Sequence, residues 1–230
     1  MFEIVAVTDF RQCAEAPLKR IRRISESGVS AIILREKGLE ASEYAVLAQQ
    51  AADVLFDSIK NPREGSVNNR SGGSGDTGGG SCDGRAELII HTFHDAAAQI
   101  GCRKLHLPFS LFAGAPWLYR DFSVGVSVHS VEEARLAASL GASRLVAGHI
   151  FETDCKEGLA PRGIDFLAEI CRTVAIPVYA IGGINIHNID KVREVGAVGA
   201  CLMSPFMRTD NVEQLTSRLL AAASDAGVRS

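Results

Sequence analysis

Residues 123–150 read SVGVSVHSVEEARLAASLGASRLVAGHI. The first six residues, three of them valine, form a short β-rich run that reads as a strand covered on both faces. Ser130 then stands where a helix N-cap belongs, with Glu133 three residues later, as in a capping box. Val131, Ala134, Ala137, Ala138 and Leu140 return at helical spacing, and Gly141 marks the stop. RLVAG opens a second buried strand. A strand, a helix and a strand in this order form a parallel crossover unit.

The same alternation runs through the chain. Strands are expected at 3–8, 30–35, 87–91, 103–107, 123–128, 143–149, 176–181 and 198–203, with a last helix at 211–223. Eight such units in 230 residues predict an α/β fold, a single-domain (β/α)8 TIM barrel spanning 1–230. An open doubly wound sheet is the alternative, but no switch-point fingerprint supports it. Residues 61–85 (NPREGSVNNRSGGSGDTGGGSCDGR) are almost free of apolar side chains. They read as a flexible insertion at the N-terminal face, away from the usual chemistry of barrels.

Composition narrows the function. Apolar residues make up 47% and charged residues 22%, and the net charge is −3. Neither nucleic acid nor an acidic membrane surface is an expected partner. No apolar run reaches the roughly 18 residues of a membrane span. The opening MFEIVAVTDF reads as a buried strand with no basic leader. The expectation is a cytoplasmic protein whose six cysteines, without a CxxC pair, are reduced and hold no metal.

Barrel chemistry collects just past the strand ends. The loops after strands seven and eight hold Gly182, Gly183 and Ser204, which suit a phosphate: glycines admit a close backbone approach, and a helix start supplies N–H donors. A plain tight turn is the other reading of the two glycines. Arg35 and Lys37 alternate at the end of strand two and suit an anion, unless they form surface ion pairs. Thr153 and Lys156 follow strand six. Ser127 and His129 close strand five, and histidine transfers protons near neutral pH. His91, His106 and His149 have no metal-motif spacing and read as structural.

Four stretches carry a family resemblance: GHIFETDCKEGLAPRG (148–163), VSVHSVEEA (126–134), IPVYAIGGI (176–184) and ILREKG (33–38). The chain resembles the thiamine phosphate synthase and thiazole tautomerase superfamily, and more closely its tautomerase branch. Several positions depart from the synthase pattern. Ile33 replaces a glutamine, and His91-Thr92 stands where synthases carry Asn-Asp. The HLPFSL stretch (106–111) lacks the next acid. Those two acids hold the synthases' Mg²⁺, and a hard cation needs such oxygen ligands.

The resemblance thus implies an isomerase of thiamine biosynthesis that converts the ylidene carboxythiazole phosphate to its aromatic isomer. His129 would be the acid–base group. Arg35, Lys37, Ser127, Thr153, Lys156, Gly182, Gly183 and Ser204 would bind a small phosphorylated thiazole, with no metal and no cofactor. On this reading the chain does not couple thiazole to pyrimidine. Two alternatives stay open: thiamine phosphate synthase, and a non-catalytic thiazole-phosphate binder. The oligomeric state, including a homo-oligomer, is left open. The insertion's composition leads to one expectation: deleting residues 66–81 should leave thermal midpoint and turnover near the parent's. A large loss in either would show that the segment is needed.

Overall fold

A computed structural model of the chain describes residues 1–57, 86–156 and 158–224. The expected insertion at 61–85 lies outside them. Strands form where the apolar runs lie: β1 (Glu3–Val7), β2 (Ala31–Leu34), β3 (Glu87–His91), β4 (Lys104–Pro108), β5 (Ser123–Val128), β6 (Arg144–Gly148), β7 (Val178–Ile181) and β8 (Gly199–Leu202). Each pairs in parallel with the next, and β8 returns to β1 with Cys201 opposite Val5 and Leu202 opposite Ala6. The sheet is therefore a closed (β/α)8 barrel, as the alternation predicted.

The helices are α1 (Pro17–Glu26), α2 (Ala41–Asp57), α3 (His94–Gln99), α4 (Phe109–Gly114), α5 (Val131–Ser139), α6 (Gly163–Thr173), α7 (Ile189–Glu194), α8 (Ser204–Arg208) and α9 (Val212–Ser224). The start of α5 is capped as expected: Ser130 Oγ accepts from Glu133 N at 3.0 Å. The Glu133 carboxylate turns back to the backbone N–H of His129 at 2.6 Å, one residue before the cap. It thereby fixes the last turn of chain before the helix. Among the described residues no helix is long and apolar enough to cross a membrane.

Side chains alternate along each strand, so the apolar residues sort into two layers. Ile4, Ala6, Ile32, Leu34, Ile90, Leu105, Leu107 and Leu145 face outward and pack with Ile21, Ile24, Phe112 and Leu167 of the helices. Val5, Val7, Ala31, Ile33, Ile89, Val146, Tyr179 and Cys201 fill the interior. Each fully buried aliphatic side chain contributes about 1.5–3 kcal/mol relative to exposure. Polar groups close the bottom. Tyr179 Oη donates to Glu3 Oε2 at 2.6 Å, and Lys104 pairs with Glu87.

At the top, the fully buried Tyr44 of α2 ties two strand ends together. Its hydroxyl donates to Leu34 O at 2.5 Å and accepts from His91 N at 3.1 Å. The β2–β3 ladder ends at Leu34 opposite Ile90, so this hydroxyl completes pairing that the backbone no longer supplies. Tyr44→Phe should cost about 1–3 kcal/mol in denaturant unfolding, because a buried carbonyl and a part-buried N–H lose their partner. An unchanged midpoint would mean that water replaces the hydroxyl.

Candidate active site

The apolar β1 ends abruptly in Thr8-Asp9, and this polar pair organises one corner of the C-terminal rim. Thr8 Oγ1 accepts from Arg35 N at 2.9 Å and donates to Glu36 Oε1 at 2.5 Å. Phe10 N donates to Glu36 Oε2 at 3.0 Å. Asp9, only 4% exposed, accepts from Arg11 Nε at 2.8 Å, Arg11 Nη2 at 3.0 Å and Gln12 Nε2 at 3.0 Å. The Arg11 hydrogen bond holds the Asp9 carboxyl down at about 2, so it is ionised. Burial pushes the Glu36 carboxyl up.

Both acids of this corner are thus committed to the β1 loop. Neither Arg35 nor Lys37 forms an ion pair with a carboxylate among the described residues, so the ion-pair reading of these two cations fails. Positive charge gathers instead. The Lys37 ammonium is pushed down first by Arg35, then by burial, then by Lys156 and Arg11. Arg35 Nη1 lies 3.8 Å from Met203 Sδ, which brings the end of β2 against the end of β8. The sequence pointed to Arg35, Lys37 and Lys156 but missed Arg11. Its signal was the sudden Thr-Asp after an apolar strand.

The loops after β6, β7 and β8 form the adjoining wall, since β8 pairs with β1. Gly182 and Gly183 have φ of 99° and 67°. A Cβ on Gly183 would lie 2.3 Å from Glu152 O, and one on Gly182 2.3 Å from His149 Cβ. Phe151 N bonds to Gly182 O at 3.0 Å. Both glycines are therefore demanded by the packing of this turn on the β6 loop. Ser204 opens α8, and its Oγ donates to Gln12 Oε1 at 2.9 Å. Thr153 O accepts from Lys156 N at 3.0 Å in the short turn that carries Lys156.

Two histidines line the floor near β3 to β5. His106, 4% exposed, has its Nε2 2.7 Å from Ser127 Oγ. His91 Nδ1 lies 2.7 Å from Thr92 Oγ1, and Thr92 has φ of 69°. Burial, with Arg35 and Lys37 nearby, lowers His91 to about 4, so the ring is neutral at physiological pH. His129 sits on the exposed rim, its Nδ1 2.8 Å from Gly148 O. A carbonyl only accepts, so Nδ1 carries a proton.

The Mg²⁺ of the synthase pattern does not fit these residues. Its two acid positions hold Thr92 and Leu111, and the strand-three hydroxyl is bonded to an imidazole. Among the described residues no three His, Cys, Asp or Glu side chains are grouped to hold a metal. Hydroxyls and neutral imidazoles are poor substitutes for carboxylates around a hard cation.

The wall formed by Gly183 and Ser204 leads to a prediction. If this wall takes a phosphate, Ser204→Asp should weaken binding of a phosphorylated ligand by at least about 1–3 kcal/mol, since a like charge then faces it. Calorimetric titration with thiazole phosphate reads it, and unchanged affinity would place the phosphate elsewhere.

A family profile described as thiamine monophosphate synthase (TMP-TENI) matches residues 82–206. The thiamine-phosphate synthase of Syntrophomonas wolfei is 30% identical over 200 residues, 85% of this chain and 83% of that protein. Thiamine-phosphate synthase 2 of Streptococcus pneumoniae serotype 4 is 29% identical over 216 residues, 92% of this chain and 90% of that protein. A thiamine phosphate pyrophosphorylase from Pyrococcus furiosus has the same fold, with a TM-score of 0.75 at 23% identity over 98% of this chain and 96% of that one.

These relatives carry the synthase or pyrophosphorylase name, which overturns the expected thiazole tautomerase and the expectation that the chain does not couple thiazole to pyrimidine. The choice of the tautomerase rested on the missing acids at Thr92 and Leu111, and the loss of those carboxylates does not set the chain apart from relatives that bear the synthase name. On the match across 82–206 and the full-length relatives, the chain belongs to the thiamine monophosphate synthase (TMP-TENI) family.

Proposed function

We propose that the protein is a transferase of the thiamine-phosphate synthase type, joining a phosphorylated thiazole to a pyrimidine pyrophosphate. One observation carries this reading: Arg35, Lys37, Lys156 and Arg11 gather at the mouth while the nearby acids Asp9 and Glu36 are bonded into the β1 loop. Like charges held together in this way are relieved by an anion of high charge, and pyrophosphate is one. The names of the full-length relatives support the same choice.

In the reaction, the thiazole ring nitrogen forms a bond to the methylene carbon of the pyrimidine. The carbon–oxygen bond to pyrophosphate breaks, and pyrophosphate leaves with the electron pair. The mouth cations oppose the negative charge that grows on the departing oxygen, which is where preorganised charge contributes most. Gly182, Gly183 and Ser204 hold the thiazole's phosphate on the adjoining wall, with Thr153 beside them. Ser127 and His129 lie between the two walls, at the end of β5. His129 orients a ligand through Nε2, since no proton has to leave the thiazole in this step. No step is routed through Mg²⁺, because the residues that would hold it are absent.

The purified chain, given pyrimidine pyrophosphate and thiazole phosphate in Mg²⁺-containing buffer, should form thiamine phosphate with turnover on the order of 1 s⁻¹. Arg35→Gln and Lys37→Gln should each lower kcat/KM for the pyrophosphate substrate by roughly 10–100-fold, the worth of one hydrogen bond to a charged group. No product from the parent protein would overturn the assignment. Full activity in both variants would remove the cation cluster from the mechanism.

A further inference from the structure

Inside the barrel, below the mouth, two long polar side chains meet over a glycine. A Cβ on Gly125 would lie 2.8 Å from His106 Nδ1 and 2.8 Å from Arg144 Nε. Only a residue without a side chain leaves room for both. Arg144 reaches in from the start of β6, and its Nη2 lies 3.4 Å from Leu105 O. His106 Nε2 is 2.7 Å from Ser127 Oγ, while its Nδ1 is buried and has no hydrogen-bond partner among the described residues.

From this geometry we infer that His106 is a positioning residue: held by Arg144 as the Nε2–H tautomer, it donates to Ser127 Oγ and leaves the serine proton to point at an anionic oxygen of the ligand. A guanidinium only donates. A proton on Nδ1 would face a cation with nothing to accept it, whereas a bare Nδ1 presents its lone pair to that charge. The proton therefore belongs on Nε2, and Ser127 Oγ must accept it. The serine hydroxyl then has its own hydrogen for an acceptor in the mouth.

The surroundings keep the ring neutral. Burial comes first, and His91, Arg144 and Arg35 act in the same direction, all pushing His106 well below its ordinary value. A neutral imidazole cannot switch to donating from both nitrogens. The polarity of the His106–Ser127 bond is thus constant across the pH range in which the protein works. This deepens the transferase reading, on which it rests only for the identity of the anion.

Two measurements on the full chain test the proposal. With 15N-labelled histidine, long-range 1H–15N correlation should show His106 protonated at Nε2 and bare at Nδ1, with no titration between pH 5 and 8, the window in which an ordinary histidine changes charge. The Nδ1–H tautomer, or an imidazolium, would overturn it. Calorimetry with inorganic pyrophosphate gives the second arm. A glutamine amide reaches the place of Nε2 and an asparagine amide does not.

His106→Gln should therefore keep affinity within about threefold of the parent. His106→Asn and Ser127→Ala should each lose about tenfold or more, the factor carried by one hydrogen bond to a charged group. In the double variant His106→Asn/Ser127→Ala, the histidine change should add nothing further, as expected of residues acting through one bond. Additive losses, or equal losses in the Gln and Asn variants, would reduce His106 to a packing role and sink the proposal. If the parent binds no pyrophosphate, the transferase reading fails, and the histidine tautomer alone then decides the question.

Discussion

Strict alternation of side chains along eight parallel strands is the constraint on which the rest depends. A closed barrel has no edge, so every strand must present one set of residues to the helices and the other to the interior. Ile4 and Ala6 go outward and Val5 and Val7 go inward, and the same division repeats around the ring. Because all strands run the same way, their C-terminal ends share one rim. Thr8, Arg35, Thr92, Ser127, His149, Gly182 and Met203 are neighbours for that reason alone. Tyr44 completes the arrangement where the β2–β3 ladder runs out.

Electrostatics at the rim are decided by where the acids go. Asp9 and Glu36 lie close to four cations, and a sequence reader would pair them with Arg35 and Lys37. The β1 loop takes them instead. Glu36 caps Thr8 and the Phe10 amide, and Asp9 takes Arg11 in a two-point clasp, the strong geometry for this pair. At Lys37 the field of Arg35, Lys156 and Arg11 is opposed by Asp9 and still holds the ammonium below its ordinary value. Arg11 serves both sides, since it neutralises Asp9 and adds to the field at Lys37.

The interior is not wholly apolar, and its polar groups are placed by one missing side chain. With any residue other than glycine at 125, His106 and Arg144 would have to separate. Their approach connects the floor of the mouth to the polar bottom, where Arg144 shares the interior with Glu3 and Tyr179. Buried polar groups are costly unless satisfied: Ser127 pairs with His106 Nε2 and Tyr179 with Glu3, while His106 Nδ1 has no hydrogen-bond partner among the described residues.

The sequence alone determined the barrel, the order of its eight strands, the cap at Ser130, and which loops face the mouth. All of these follow from local patterns, namely apolar runs, helical spacing and turn residues, that act within about ten residues. It also pointed to Arg35, Lys37, Lys156, Ser127, His129 and Ser204, because strand ends can be read once strands are placed. What it did not decide was pairing across the barrel. The binding of Ser204 to Gln12, of Glu36 to Thr8 and of His106 to Ser127 joins residues 192, 28 and 21 positions apart. Nor did it separate synthase from tautomerase correctly, since the missing acids at Thr92 and Leu111 favoured the tautomerase while the relatives carry the synthase name. Such choices rest on distance and donor count between side chains brought together only when the eighth strand closes on the first.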